Sequence, residues 1–479
     1  MAFFIIIALY FITRLIFLTS LPIFNDESIY LHWALIMRDT GEKFYSVAFD
    51  GKQPMIMWLY GVALWLVDNP LVVGRLVSVI FGFFTLLGIY FLAKSIGNRN
   101  LALISSSFYI FCPICVFFDR MALMDGPITS INIWTLFLTE KIINTKNKYI
   151  FSLLLGLIFG LGFWIKSSIL ITILIILLWL IKAYLNKKNI YIINSIILII
   201  ITALLALIPL IVQPSFNLIF QKNQEFILSV NQILKFPWQI WLNNLMNLGL
   251  ILTGYVSPLI LIFLFIFLLK KSELKNWRFL FVYLVSSMFL LIISSKDINS
   301  RYSLFIIPEL LILISILMAK YKWIRPFIFI PSIILSIILI ITPIRFFSLF
   351  PSFGSFASDK YQYINGWPSG YGINEAINLL NNTSRKRQII IGVRPDSGNP
   401  EDAIWTYYWQ DKQAMVTYFR SDTEYWQNLK EYSQLFDIYF ISRDDQLLGQ
   451  ERVLSEIIRF PKPNSKSYIG VYKINLSKL

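Results

Sequence analysis

Four short groups of residues carry the side chains this chain could use for chemistry. The first is Asn25-Asp26-Glu27, where paired carboxylates could take a proton from a hydroxyl or hold a divalent cation. The second is Asp50-Gly51-Lys52-Gln53-Pro54, in which a lysine precedes a helix-entry proline and could meet a phosphate as a point charge. The third is Asp119-Arg120 with Asp125, and the fourth is Arg301-Tyr302. Each also has a plain reading. Asp26 could cap a helix starting near Ser28, with Glu27 favouring its dipole. Lys52 could snorkel at a membrane interface, Arg120 could pair with Asp125, and Arg301-Tyr302 could serve as an anchor. His32 is the single histidine, so a structural zinc site and Ser/His/Asp catalysis both lack parts. Cys112 and Cys115 lie in an apolar run, where packing explains them better than redox chemistry.

The elements that position these groups must sit in lipid. The 479 residues are 57% hydrophobic and only 14% charged, too apolar for a soluble core of this size. Apolar stretches fall at 3–22, 71–93, 101–118, 126–140, 149–165, 168–186, 190–212, 247–269, 278–294, 302–319 and 325–345. Each is read as a transmembrane helix, giving about eleven. The first contains Arg14, lacks a charged leader and small-residue cleavage site, and is expected to be retained.

The net charge of +15 resides in the apolar part: residues 1–349 hold 27 Lys+Arg against 13 Asp+Glu, and residues 350–479 hold 15 against 14. That distribution follows the positive-inside rule and excludes a soluble basic patch for nucleic acid. With the N-terminus inside, the loops 94–100, 140–148, 182–189, 270–278 and 320–325 are basic and face inward. The four chemical groups then share the outer face. Ionisable residues at that rim are functional candidates, because their cost in lipid is high.

Two outer segments are longer than turns. The loop 23–53 contains an amphipathic stretch, Ser28–Met37, expected to lie along the membrane with its apolar face down. Residues 213–246 are rich in Phe and Trp and read as a second interfacial element. Residues 350–479 change character. A helix is predicted over 374–381, with strands over 388–393, 414–419, 436–442 and 468–474, which makes a small α/β domain outside the membrane. The domain division is thus 1–349 for the membrane part and 350–479 for the outer part.

The order of the motifs is more specific than any one of them. Arg14 in the first helix is followed by P-I-F-N-D-E-S-I-Y, then G-K-Q-P, then R-M-A-L-M-D-G-P, then R-Y-S-L-F-I-I-P. Over roughly residues 1–345 this resembles the GT-C glycosyltransferases of the protein O-mannosyltransferase and aminoarabinose-transferase type. The resemblance implies an inverting transfer of a monosaccharide from a polyprenyl-phosphate donor to an acceptor outside the cytoplasm (protein, lipid or glycan). It implies Asp26 as base or metal partner, with Glu27 beside it and Asp125 in the catalytic set. Lys52, Arg120, Arg301 and Tyr302 are implied for the donor phosphate. Relatives often carry an acid or histidine just before the lysine, and Gly51 stands there instead. A divalent cation is the one cofactor expected, on Asp26 and Asp50. The enzyme is expected in the plasma or inner membrane, partnered by lipid and a lipid-linked sugar and by no nucleic acid.

The rival readings are a lipid-linked glycan ligase or polymerase and a transporter or flippase. A ligase would place its acids in a large late outer loop, and a transporter would show inverted repeats with ionisable groups at mid-membrane.

Overall fold

The computed structural model describes residues 2–145, 148–260, 277–384, 388–419, 429–446 and 454–474. Packing divides the chain into two compact units. The first comprises Met1–Phe17, Lys43–Ile56 and Arg75–Ile341; the second comprises Leu18–Glu42, Met57–Gly74 and Thr342–Leu479.

The first unit is helical. Six described helices are long and apolar enough to cross a membrane: Pro70–Ile96, Lys148–Ile165, Ile169–Asn186, Ile190–Ile211, Ser300–Lys320 and Lys322–Ile341. Ala2–Leu15 and Arg278–Ser294 are shorter apolar helices. The expected span at 101–118 is broken into Arg99–Phe111 and Pro113–Phe118, because Pro113 cannot donate to the preceding turn. The stretch at 126–140 is a helix, Asp125–Asn144, whose polar residues keep it largely inside the protein. The first helix stops at Leu15, seven residues before the expected end. Part of the span expected at 247–269, and most of the inward loop 270–278, lie outside the described residues.

Without a hydrophobic drive between helices in lipid, close backbone approach decides which helices pair. Gly156 and Gly160, one turn apart, supply that approach. A Cβ on Gly160 would lie 2.5 Å from that of Ala206, and one on Gly156 would collide with the Thr202 side chain. Helix Lys148–Ile165 therefore seats directly on Ile190–Ile211. A second fastening is polar. Arg14 donates from Nε to Asp119 Oδ2 at 3.0 Å, and Tyr109 donates its hydroxyl to the same carboxylate at 2.9 Å, all buried. Breaking such a buried pair costs on the order of 3–5 kcal/mol, so Asp119 anchors the first helix.

The second unit holds a five-stranded sheet of order β2-β1-β3-β5-β4: β1 Ile389–Val393, β2 Ala414–Tyr418, β3 Asp437–Arg443, β4 Leu454–Pro461 and β5 Tyr468–Ile474. β1 runs parallel to β2 and β3, while β5 runs antiparallel to β3 and β4. Ile390, Phe419, Ile438, Phe440 and Tyr472 form its core. The four predicted strands are present within a residue or so, and the predicted helix extends over Ile373–Ser384. β4 was not predicted. It is an edge strand, mostly exposed and bulged at Glu456/Ile458, so its residues lack strict alternation.

The same unit contains the helix Asn25–Asp39, and here the sequence expectation needs correction. The helix does not offer a bare apolar face to lipid: Tyr30, Leu31, Trp33, Ala34, Leu35 and Met37 are all buried in protein. It packs against Glu401–Tyr407 of the C-terminal domain. An apolar stripe at helical spacing marks a covered face without specifying the cover.

Candidate active site

In the second unit, the acid pair begins the helix Asn25–Asp39. Phe24 occupies the N-cap in extended conformation (φ −77°, ψ 155°), which places Glu27 at the third helical position. From there Glu27 Oε2 accepts the Phe24 backbone N–H at 2.9 Å, the returning half of a capping box. Glu27 is fully buried in this role. Asp26 lies inside the first turn, half-buried, and Asn25 Nδ2 approaches its Oδ1 at 3.5 Å. The capping expected of Asp26 thus belongs to Glu27, because the helix starts three residues earlier than the apolar pattern indicates. Of the two acids, Asp26 is the one with accessible surface.

In the first unit, cations gather around two aromatic rings. The short helix Tyr45–Asp50 ends at Gly51 in the left-handed region (φ 63°), and a Cβ there would strike the Leu218 carbonyl. No larger residue fits at Gly51, which accounts for its departure from the resembled pattern. The turn is closed by Lys52 N donating to Ser46 O and Ser46 Oγ donating to Lys52 O, both at 3.0 Å. Lys52 Nζ then stands 5.4 Å from the centroid of Phe226, whose ring meets Tyr302 edge-on at 6.4 Å. On Tyr302, Lys166 Nζ lies 5.2 Å from the centroid and the Arg301 guanidinium 5.5 Å. Cation–π contacts of this kind contribute about 0.5–2 kcal/mol each.

Asp125 belongs to this group through Lys166, whose Nζ sits 2.6 Å from Asp125 Oδ1. The pairing of Arg120 with Asp125 weighed above does not form. Arg120 instead donates from Nη1 to the carbonyls of Thr13 and Ile16 at 3.1 and 2.8 Å, and from Nη2 to Phe17 O. These are carbonyls that a helix end leaves unpaired, so Arg120 caps the first helix. Lys166 was not singled out as a site residue from sequence, although a lysine interrupting the apolar run 149–186 was visible there. Phe226 was noted only as one of several interfacial aromatics.

Asp50 is ion-paired: Lys222 Nζ lies 2.8 Å from its Oδ1 and 2.8 Å from Glu225 Oε2. A metal at Asp50 would have to displace this ammonium. Among the described residues, no three His, Cys, Asp or Glu side chains cluster as a metal site.

Comparison with known proteins agrees with this architecture. Residues 51–212 match the model of the dolichyl-phosphate-mannose-protein mannosyltransferase family, a stretch that includes Lys52, Arg120, Asp125 and Lys166. No curated protein sequence matches the chain. Among solved structures, ArnT from Cupriavidus metallidurans bound to undecaprenyl phosphate is similar with a TM-score of 0.59 and 12% identity, over 98% of this chain and 97% of that one. The Archaeoglobus fulgidus oligosaccharyltransferase in complex with zinc and sulfate is similar with a TM-score of 0.51 and 11% identity, over 96% and 74%. The same archaeal enzyme tethered to an acceptor peptide gives 0.51 and 11%, over 91% and 69%. At these identities the likeness is one of fold. The chain is an integral membrane protein with the GT-C fold and a small C-terminal sheet, and the matched family and these solved proteins are glycosyltransferases.

Proposed function

We propose that this chain transfers one monosaccharide, with inversion, from a polyprenyl-phosphate donor to an acceptor outside the cytoplasm. The observation that carries the reading is the convergence of Lys52, Lys166 and Arg301 on the Phe226–Tyr302 ring pair. When the sugar C1–O bond breaks, the lipid phosphate leaves with one more negative charge. Fixed cations aimed at that charge stabilise the transition state more than the bound donor. In this reading Asp26 removes the proton from the acceptor hydroxyl as its oxygen bonds to C1. Base and leaving group act on opposite faces of the sugar, which gives inversion.

Glu27 supports Asp26 by fixing the helix start. Asp125 orients Lys166 through their ion pair. Tyr302 supplies the ring on which the cations rest, and Arg120 contributes through the first helix that it caps. No step is routed through a metal ion. The undecaprenyl phosphate held by the similar ArnT supports a polyprenyl-phosphate donor, and the peptide on the archaeal enzyme makes protein one acceptor class to examine. Orientation follows from the basic loops, with the acid helix and the C-terminal domain outside.

The reading is tested by titrating undecaprenyl phosphate against the reconstituted protein and its Lys52→Gln, Lys166→Gln and Arg301→Gln variants. Each variant is expected to bind more weakly. Equal affinity in all four proteins would remove the phosphate assignment.

A further inference from the structure

The acid helix is held at its first turn by a buried polar clamp from the C-terminal domain, and that clamp gives the domain a task. Asn399 donates its backbone N–H to Asn25 Oδ1 at 2.7 Å, and its Nδ2 to the carbonyls of Ile23 and Pro368, both at 3.1 Å. Asn25 N donates in turn to Pro368 O at 3.0 Å. A Cβ on Gly398 would collide with the Asn25 amide, and one on Gly370 with the Ile23 carbonyl, so both glycines allow the segments to touch. One turn along, Thr406 Oγ1 donates to Ser28 O at 3.2 Å. Asp402 Oδ1 lies 2.5 Å from His32 Nδ1, and its other oxygen accepts the Gly398 N–H. The His32 ring stacks on Trp405 at 5.7 Å with an interplanar angle of 3°.

Asn25, Asn399, Asp402 and His32 are each at most 6% exposed. Buried polar groups that satisfy one another across two segments fix a relative position that apolar packing leaves free to slide. The groups on either side of Asp26 are therefore fixed from outside the helix: Ile23, Asn25, Ser28 and His32 are all bonded to residues 368–406.

We infer that Asn399 and Asp402 are positioning residues for Asp26, holding the first turn of its helix in the geometry that transfer requires. The inference rests on the reading of Asp26 as the base. Neither residue touches substrate in it. They act through the backbone beside the carboxylate, where a misplacement of about 1 Å lowers the rate on the order of 100-fold. The lone histidine is one of the bolts of this clamp.

The experiment uses full-length protein in nanodiscs, as wild type, Asn399→Ala and Asp402→Asn. Three quantities are measured: amide exchange of residues 24–32, affinity for undecaprenyl phosphate, and glycan product per protein copy in cells lacking the native copy. Exchange over 24–32 is expected to quicken about tenfold or more as local opening becomes easier. Product is expected to fall about tenfold or more, with undecaprenyl phosphate affinity within about twofold of wild type. Unchanged exchange in both variants would overturn the inference, as would faster exchange with full product formation. Loss of undecaprenyl phosphate binding alongside faster exchange would mean general damage and overturn it too. Asp402→Asn keeps the side-chain shape and decides the matter if Asn399→Ala fails to accumulate. Full product from Asp26→Asn would instead remove the base reading, and the exchange data would still report on the clamp.

Discussion

At the residue scale, Asp26 and Glu27 are legible in the sequence as a pair but not as individuals. Asp26→Asn is expected to lower transfer by roughly 100- to 10,000-fold, the usual contribution of a positioned base, while expression and insertion stay intact. Turnover is compared in membranes of cells carrying either form. Glu27→Gln is expected to act on folding instead, because its Oε2 serves the Phe24 amide. Lys52 separates the two readings of a rim cation. An anchoring lysine tolerates glutamine, whereas one facing a phosphate loses a charge-assisted contact contributing about 1.5–3 kcal/mol, or roughly 10- to 150-fold in donor affinity. Lys52→Arg is expected to rescue in part, since the charge remains but its reach changes. Superimposable donor titrations for wild type and both variants would make Lys52 an anchor. The role of Arg120 was hidden in the sequence because its acceptors are backbone carbonyls over 100 residues away, and carbonyls have no sequence signature. Lys166 was hidden for another reason: a lysine between two apolar runs reads as a loop until a partner such as Asp125 is found for it.

At the element scale, strands and most helices could be placed from periodicity, since a buried parallel strand such as Ile389–Val393 is apolar throughout. Pairing was beyond reach. Nothing in Ser28–Met37 indicates that Glu401–Tyr407 covers it, because the matching polar groups lie about 370 residues apart. That covering helix starts with an acid of unusual setting. Burial, with Asp402 beside it, raises the Glu401 carboxyl to about 7. The unfolded chain would hold the same proton only up to about 4.3. The folded domain therefore binds the proton more tightly, and this contribution to stability is complete below about pH 4 and lost as pH rises through 7. Lys462, lowered to about 7 by burial and by Arg443, begins to lose its proton in the upper part of the same window, but in both proteins alike, so comparison with Glu401→Gln cancels it. Raising the pH from 5 to 7 is expected to lower the unfolding temperature of the wild type relative to Glu401→Gln, which keeps the shape without the ionisation. Parallel melting curves for the two proteins would show that Glu401 ionises in the ordinary range.

At the scale of the whole molecule, composition alone assigned the chain to the membrane, and charge distribution alone supplied an orientation. Exposed Asp411 is replaced by cysteine to examine it. A membrane-impermeant maleimide is expected to label position 411 in intact cells and to leave a cysteine at position 188 unlabelled. Labelling of 411 only after permeabilisation would reverse the topology. The division of the molecule was less accessible than its class. The chain alternates between its two units, and the segments Leu18–Glu42 and Met57–Gly74 join the C-terminal residues although they lie early in sequence. A reading that moves along the chain has no means to see this, because contacts between distant segments are set by the fold as a whole. The central claim is that the chain draws a sugar from a polyprenyl-phosphate lipid. Its most direct test is mass spectrometry of lipid-linked sugars and envelope glycans from cells with the wild-type gene, without it, and with Asp26→Asn. One polyprenyl-phosphate monosaccharide is expected to accumulate, and one glycan to disappear, in both the deletion and the Asp26→Asn cells. Identical lipid and glycan profiles in all three would contradict it.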